Sequence, residues 1–153
     1  MKKSRSSLLT RLNQLAASNN AYLSETVLLK NCALGTTAYN EKLFIIKKLE
    51  DKSYDIIITS FSGIKKCSIR KTHINIPGNK NKHGSTETHL QKISLWLEYD
   101  SIQQPLELIF YEYRYNSLYE MPELSQKASY WEQLINNEIN LQDVLQYKLK
   151  TAL

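Results

Sequence analysis

Residues 93–135 read ISLWLEYDSIQQPLELIFYEYRYNSLYEMPELSQKASYWEQLI. The stretch changes period partway through, and that change decides the fold class. Ile93, Leu95, Leu97 and Tyr99 fall on alternate positions, with Ser94, Trp96 and Glu98 between them. A period of two sends the two sets to opposite faces of a strand, here over 90–100. SIQQP supplies a turn. Leu106, Leu108 and Phe110 then alternate with Glu107, Ile109 and Tyr111 over 106–114, and Pro105 stands at the strand start, where a missing N–H is tolerated. From Pro122 onward Leu124, Ala128, Trp131, Leu134, Ile135, Ile139, Leu141, Leu145 and Leu149 recur at threes and fours, the period of an amphipathic helix. Pro122 or Ser125 can open this helix, and NNEIN (136–140) is the point where it is expected to bend.

Upstream the pattern is mostly strand. TVLLKNCALGTTAY (26–39) reads as one strand that begins as a buried apolar run, with a bulge or bend at Gly35. KLFIIKKLE (42–50) and YDIIITSF (54–61) flank a polar turn and read as an antiparallel hairpin. SGIKKCSIRKTHINI (62–76) has Ile64, Cys67 and Ile69 as its apolar positions. In the first segment Leu8, Leu12, Leu15 and Ala16 predict a short helix over 7–18. The chain divides into an N-terminal basic segment with that helix, 1–24, and a main domain, 25–153. With 153 residues it is long enough to bury ~68–70% of its unfolded surface without disulfides or metals. The expected fold is α+β: about six to seven antiparallel strands bent into a small barrel, closed by a long C-terminal helix with Trp131 central to its apolar stripe.

ALGTTAYNEKLFIIKK, IIITSFSGIKKCSI, ISLWLEY, PLELIFYEY and MPELSQKASYWEQLIN together resemble bacterial proteins with a pleckstrin-homology-like (PH-like) domain. In those a strand pair leads to a segment matched here by Phe61, Ser62, Ile64 and Ile69. A long loop and a hairpin follow, then a helix matched by Ala128, Trp131, Leu134 and Ile135. The resemblance covers about 33–139 and implies the PH-like arrangement of barrel and plugging helix. It implies no catalytic residue and no ligand residue.

The function classes narrow by elimination. GxSxG, HExxH, paired CxxC and Gly-rich nucleotide fingerprints are missing from the sequence, so a non-catalytic role is expected. No cofactor is called for. Cys32 and Cys67 lie in strand-like runs and read as reduced, buried thiols of a cytoplasmic protein; a disulfide would need their strands to be neighbours. Arg11, Asn13 and Gln14 interrupt the apolar run that a secretion signal would need, and no run reaches the ~18 residues of a membrane span. KTHINIPGNKNKHGSTETH (71–89) is the most polar stretch. Gly78 and Gly84 are spaced wrongly for a phosphate loop, and His73, His83 and His89 lack the companions of a metal site. Residues 77–88 are expected to form a surface loop.

Two binding readings remain. Lys65, Lys66, Arg70, Lys71, Lys80, Lys82 and Lys92 lie within 65–92 against Glu87 alone, in a chain of net charge +5. Strand alternation puts Lys66 and Arg70 on one face and Lys65 and Lys71 on the other, with Lys80, Lys82 or Lys92 needed to complete an anion site. The candidate residues are therefore Lys66, Arg70, Lys80, Lys82 and Lys92, and the partner an anionic ligand or a membrane surface to which the protein binds peripherally. YEYRYNSLY (111–119) suggests a stacking platform for nucleic acid, but Glu107, Glu112 and Glu120 would repel phosphate, so its tyrosines are expected to pack against a helix or partner. The preferred reading is a protein-binding interaction module, with the basic strip as the alternative.

Overall fold

Two strands, Cys32–Thr37 and Lys42–Lys48, lie at the centre of a sheet and are buried on both faces. Leu34, Leu43 and Ile45 point into the main core; Ala33, Phe44 and Ile46 point the other way, onto Leu8 and Leu12 of the N-terminal helix. Two-sided burial is why these strands read as runs rather than as clean alternation. The computed structural model describes residues 2–37, 41–77 and 86–152. Its elements are α1 (Lys2–Ser18), β1 (Leu23–Leu28), β2 (Cys32–Thr37), β3 (Lys42–Lys48), β4 (Tyr54–Ser60), β5 (Ile64–Pro77), β6 (Thr86–Tyr99), β7 (Leu106–Glu112) and α2 (Met121–Ala152).

All pairings are antiparallel, in the order β1-β2-β3-β4 and β5-β6-β7. A short 3-10 turn at Phe61–Gly63 carries the chain from the first sheet to the second, with Phe61 buried in the core. The architecture is α+β with a long C-terminal helix, as expected. The strands hydrogen-bond as two separate sheets, and closure into a barrel is not seen among the described residues.

Three local expectations are corrected. The segment 26–39 is not one strand but a hairpin: Lys30 and Asn31 are exposed at its turn, where the Leu29 N–H donates to the Cys32 carbonyl at 2.7 Å. The bulge expected at Gly35 falls on the facing strand, where the register slips between Leu23 and Glu25. A Cβ at Gly35 would stand 3.1 Å from the Glu25 carbonyl, so any other residue would push β1 back by a few tenths of an ångström. The polar loop is shorter than 77–88, because the β5–β6 ladder continues to Pro77 and Thr86; residues 78–85, with Lys80, Lys82 and His83, lie outside the described residues. Through 136–140, where a bend is expected, α2 runs on without interruption.

The partners of this part of α2 lie on β5. This strand pairs with β6 on one side only, so its other edge would carry unsatisfied backbone groups. Asn136 of α2 meets them like a neighbouring strand: its Oδ1 accepts from the Cys67 N–H at 3.0 Å and its Nδ2 donates to the Cys67 carbonyl at 2.8 Å. Glu132, one turn earlier on the same helix face, accepts from the Ile69 N–H at 2.7 Å through Oε2. On the far side the Tyr130 hydroxyl donates to the Glu25 carboxylate of β1. The helix thus spans from the edge of one sheet to the edge of the other. Leu124, Ala128, Trp131, Ile135 and Ile139 fill the space beneath it. At its start Ser117 Oγ accepts from the Tyr119 N–H at 3.1 Å and opens a 3-10 turn, Leu118–Glu120, that feeds α2; Pro122 sits in the first turn and Ser125 within the helix.

Trp131 is 3% exposed at the centre of this layer. Trp131→Ala is expected to cost ~3–5 kcal/mol, a large share of a domain's stability. Urea denaturation checks this; an unchanged midpoint would show that α2 does not close the core.

Candidate functional site

Of the described residues of the basic strip, Lys66, Arg70 and Lys92 share one face of the second sheet. The register sets Lys66, Ser68, Arg70 and Thr72 of β5 beside Glu98, Trp96, Ser94 and Lys92 of β6. Lys66 and Arg70 are exposed. The Arg70 guanidinium lies 4.0 Å over the Trp96 ring, a cation–π stack in the middle of this face. Lys92 reaches β7, where its Nζ is 3.2 Å from Glu107 Oε1, while Glu107 Oε2 accepts from the buried Ser94 hydroxyl at 3.0 Å. Lys71 falls on the Cys67 and Ile69 side, as alternation requires, and Lys65 sits where the register slips, exposed like Lys66.

The structure therefore brings Lys66, Arg70 and Lys92 to one face but strings them along ~20 Å of strand rather than around a point. It also sets a carboxylate against two of them: Glu98 is opposite Lys66, and Glu107 holds Lys92. These acids lie outside the 65–92 window, which is why a linear charge count overstates the field here.

Positive charge gathers elsewhere. The β1–β2 turn and the end of β3 face the end of β7 across a cleft of about 160 Å³. Lys30, Lys47 and Lys48 line one side, Tyr115 and Asn116 the other, over a floor that includes Phe110. The meander sets this up, because it returns β3 to the end where β1 turned; the Lys48 N–H donates to the Asn31 carbonyl at 2.8 Å. Lys47 Nζ donates to the Glu107 carbonyl at 3.1 Å, so one lysine is already engaged. The far rim is held by Asn116, whose Oδ1 accepts from the Glu112 N–H and whose Nδ2 donates to Glu120, both at 2.9 Å. Glu50 and Glu112 also border the cleft and offset part of its charge. Lys30 and Lys47 are far apart in sequence, so only the strand topology reveals that they are neighbours.

The tyrosine run divides. Tyr111 is buried in the core on β7, whereas Tyr113, Tyr115 and Tyr119 follow the strand and are exposed, so no strand face of stacked tyrosines forms. Among the described residues no three of His, Cys, Asp and Glu converge as metal ligands, and no helix is long and apolar enough to cross a membrane.

The third feature is α2 itself. Among the described residues Ile139 is its last buried position. Beyond it the helix continues to Ala152 with Leu141, Val144, Leu145, Tyr147 and Leu149 exposed by 46–69%.

Cys32 and Cys67 are free thiols on different sheets, so their strands are not neighbours in a ladder. Burial pushes each up to about 12, the reverse of an activated nucleophile. Their ordinary value is 9.0, so above that pH the unfolded chain releases protons that the folded one keeps. Their stabilising contribution is full below pH 9 and is lost as the pH rises towards 12, by up to about 1.4 kcal/mol per pH unit for each thiol. The urea midpoint is expected to fall between pH 7 and pH 10, and to fall less in a Cys32→Ala/Cys67→Ala variant. An equal fall in both proteins would contradict this account.

Comparison of the chain with protein-family models, with curated proteins and with solved structures finds no match, so the reading of function rests on these surfaces alone.

Proposed function

We propose that this chain is a non-catalytic interaction module of PH-like fold whose partner is another polypeptide. Support for the PH-like reading comes from the strand order, four then three in meander, with a C-terminal helix laid between the sheet edges. The observation that carries the binding reading is the projecting end of α2. A free helix of about a dozen residues is marginal in water, since its nucleation is costly and little packing offsets it. Exposing Leu141, Val144, Leu145 and Leu149 on such a segment adds an apolar surface that association would cover. The occupant this surface fits is a second helix, because an amphipathic stripe at threes and fours packs best against another of its kind.

A second reading, an anionic ligand, has one observation in its favour: Lys30, Lys47 and Lys48 stand together at the cleft. Under it the site lies at the cleft rather than along Lys66, Arg70 and Lys92.

One pair of variants separates the readings. Ending the chain after Asn140 is expected to leave the melting temperature within about 2 °C, because the removed residues lie beyond the last buried position. The same truncation abolishes chemical cross-linking of the purified chain to a helical partner. Lys30→Glu/Lys48→Glu leaves that cross-linking intact, and the wild type does not sediment with phosphatidylserine vesicles at low salt. Salt-sensitive vesicle binding lost in the lysine variant, at up to about 1 kcal/mol per charge, would establish the second reading instead.

A further inference from the structure

The exposed stripe of α2 has a self-complementary order. Leu134, Glu138, Leu141, Leu145 and Lys148 follow one another at intervals of four, three, four and three. This is a heptad seam. It lies about 100° around the helix from the face that carries Trp131, Ile135 and Ile139. Its first part, Leu134 and Glu138, lines an open groove of about 570 Å³ between α2 and β1, together with Ser24 and Glu25. Its last part is the uncovered end of the helix, where Leu141 and Leu145 are 49% and 46% exposed.

We infer that the occupant of this seam is a second copy of the chain, with the two α2 ends packed antiparallel about a two-fold axis at Asp143. In that register each Leu141 meets the other copy's Leu145, and each Glu138 meets the other copy's Lys148. An antiparallel coiled coil joins unlike heptad positions across the seam, and this register does so at every step. Asp143 lies on the opposite side of the helix from the seam, so the two aspartates at the axis do not face each other. Charge agrees as well. The groove that receives the far end of the partner helix carries Glu25 and Glu138, and the end that enters it presents Lys148 on the seam side. The two copies are related by symmetry, so the contact closes on itself and stops at two. The seam from Leu134 to Lys148 is only ~21 Å long. The contact is therefore at or below the small end of specific interfaces, and a reversible dimer in the micromolar range is expected.

This inference rests on the polypeptide-binding reading and goes further by naming the partner. Sedimentation velocity of the full chain from about 1 μM to 1 mM tests it, with circular dichroism melts to confirm that each variant is folded. The wild type is expected to pass from monomer to dimer across this range. Leu141→Glu/Leu145→Glu is expected to weaken the dimer by more than about 100-fold. Glu138→Lys and Lys148→Glu each place like charges across the seam twice and weaken it by roughly 10-fold or more. Mixed together, the two single variants restore both charge pairs and form a heterodimer as tight as the wild-type dimer. Should Glu138→Lys not fold, the Leu141→Glu/Leu145→Glu variant and Lys148→Glu, at an exposed position, still decide the matter. A wild type monomeric at 1 mM overturns the inference and leaves binding to a different helix open. A dimer unchanged by the leucine variant, or a mixture that fails to associate, also overturns it.

Discussion

The structure depends on how the free edge of β5 is satisfied. An edge strand presents a row of backbone donors and acceptors, and one beside a core cannot leave them without partners. Asn136 accepts from the Cys67 N–H and donates to the Cys67 carbonyl, which is what a neighbouring strand would do, and Glu132 takes the Ile69 N–H. A hydrogen bond to a charged group is among the stronger kind, and the loss of either partner would leave a partly buried N–H unsatisfied. These contacts fix the helix in rotation and in position along its axis. Trp131 and Ile135 can then enter the space between the sheets and nowhere else.

Fixing the rotation of α2 also fixes what it leaves outside. With Ile135 and Ile139 turned inward, Leu141 and Leu145 face solvent and Leu134 borders the groove beside β1. The same helix closes the domain with one stripe and presents another. Because the side chains that set its rotation sit at 132 and 136, the presented stripe is held rigidly at its base. The outer face of the second sheet differs in kind. On it Lys92 is paired with Glu107 and Arg70 is stacked on Trp96.

Much of the scaffold was legible. Alternation found β6 and β7, and the threes and fours found α2 with Trp131 at the centre of its buried stripe. The hairpin at Lys30–Asn31 was missed because the apolar residues on both sides made the segment read as one buried run. The role of Asn136 is not visible in the sequence, since a helix-interior asparagine is unfavourable until its partner on β5 is known. The candidate sites were less legible. The strip at 65–92 was visible as a run of lysines, but the acids that face it come from β6 and β7. The cleft at Lys30, Lys47 and Lys48 depends on strand order, which no local pattern carries. The projecting stripe was read as part of the buried face, because periodicity alone does not tell where the domain ends beneath a helix.

The most direct measurement is amide hydrogen exchange at Cys67 and Ile69, in the wild type and in Asn136→Ala, compared with the β5 amides bonded to β6. In the wild type all of these amides are expected to exchange only through global unfolding. In the variant the Cys67 amide is expected to exchange at least ~10-fold faster than the β6-bonded amides of the same strand, an opening cheaper than theirs by about 1.4 kcal/mol or more. Equal protection of Cys67 and the β6-bonded amides in the variant would contradict the claim that Asn136 completes the sheet edge.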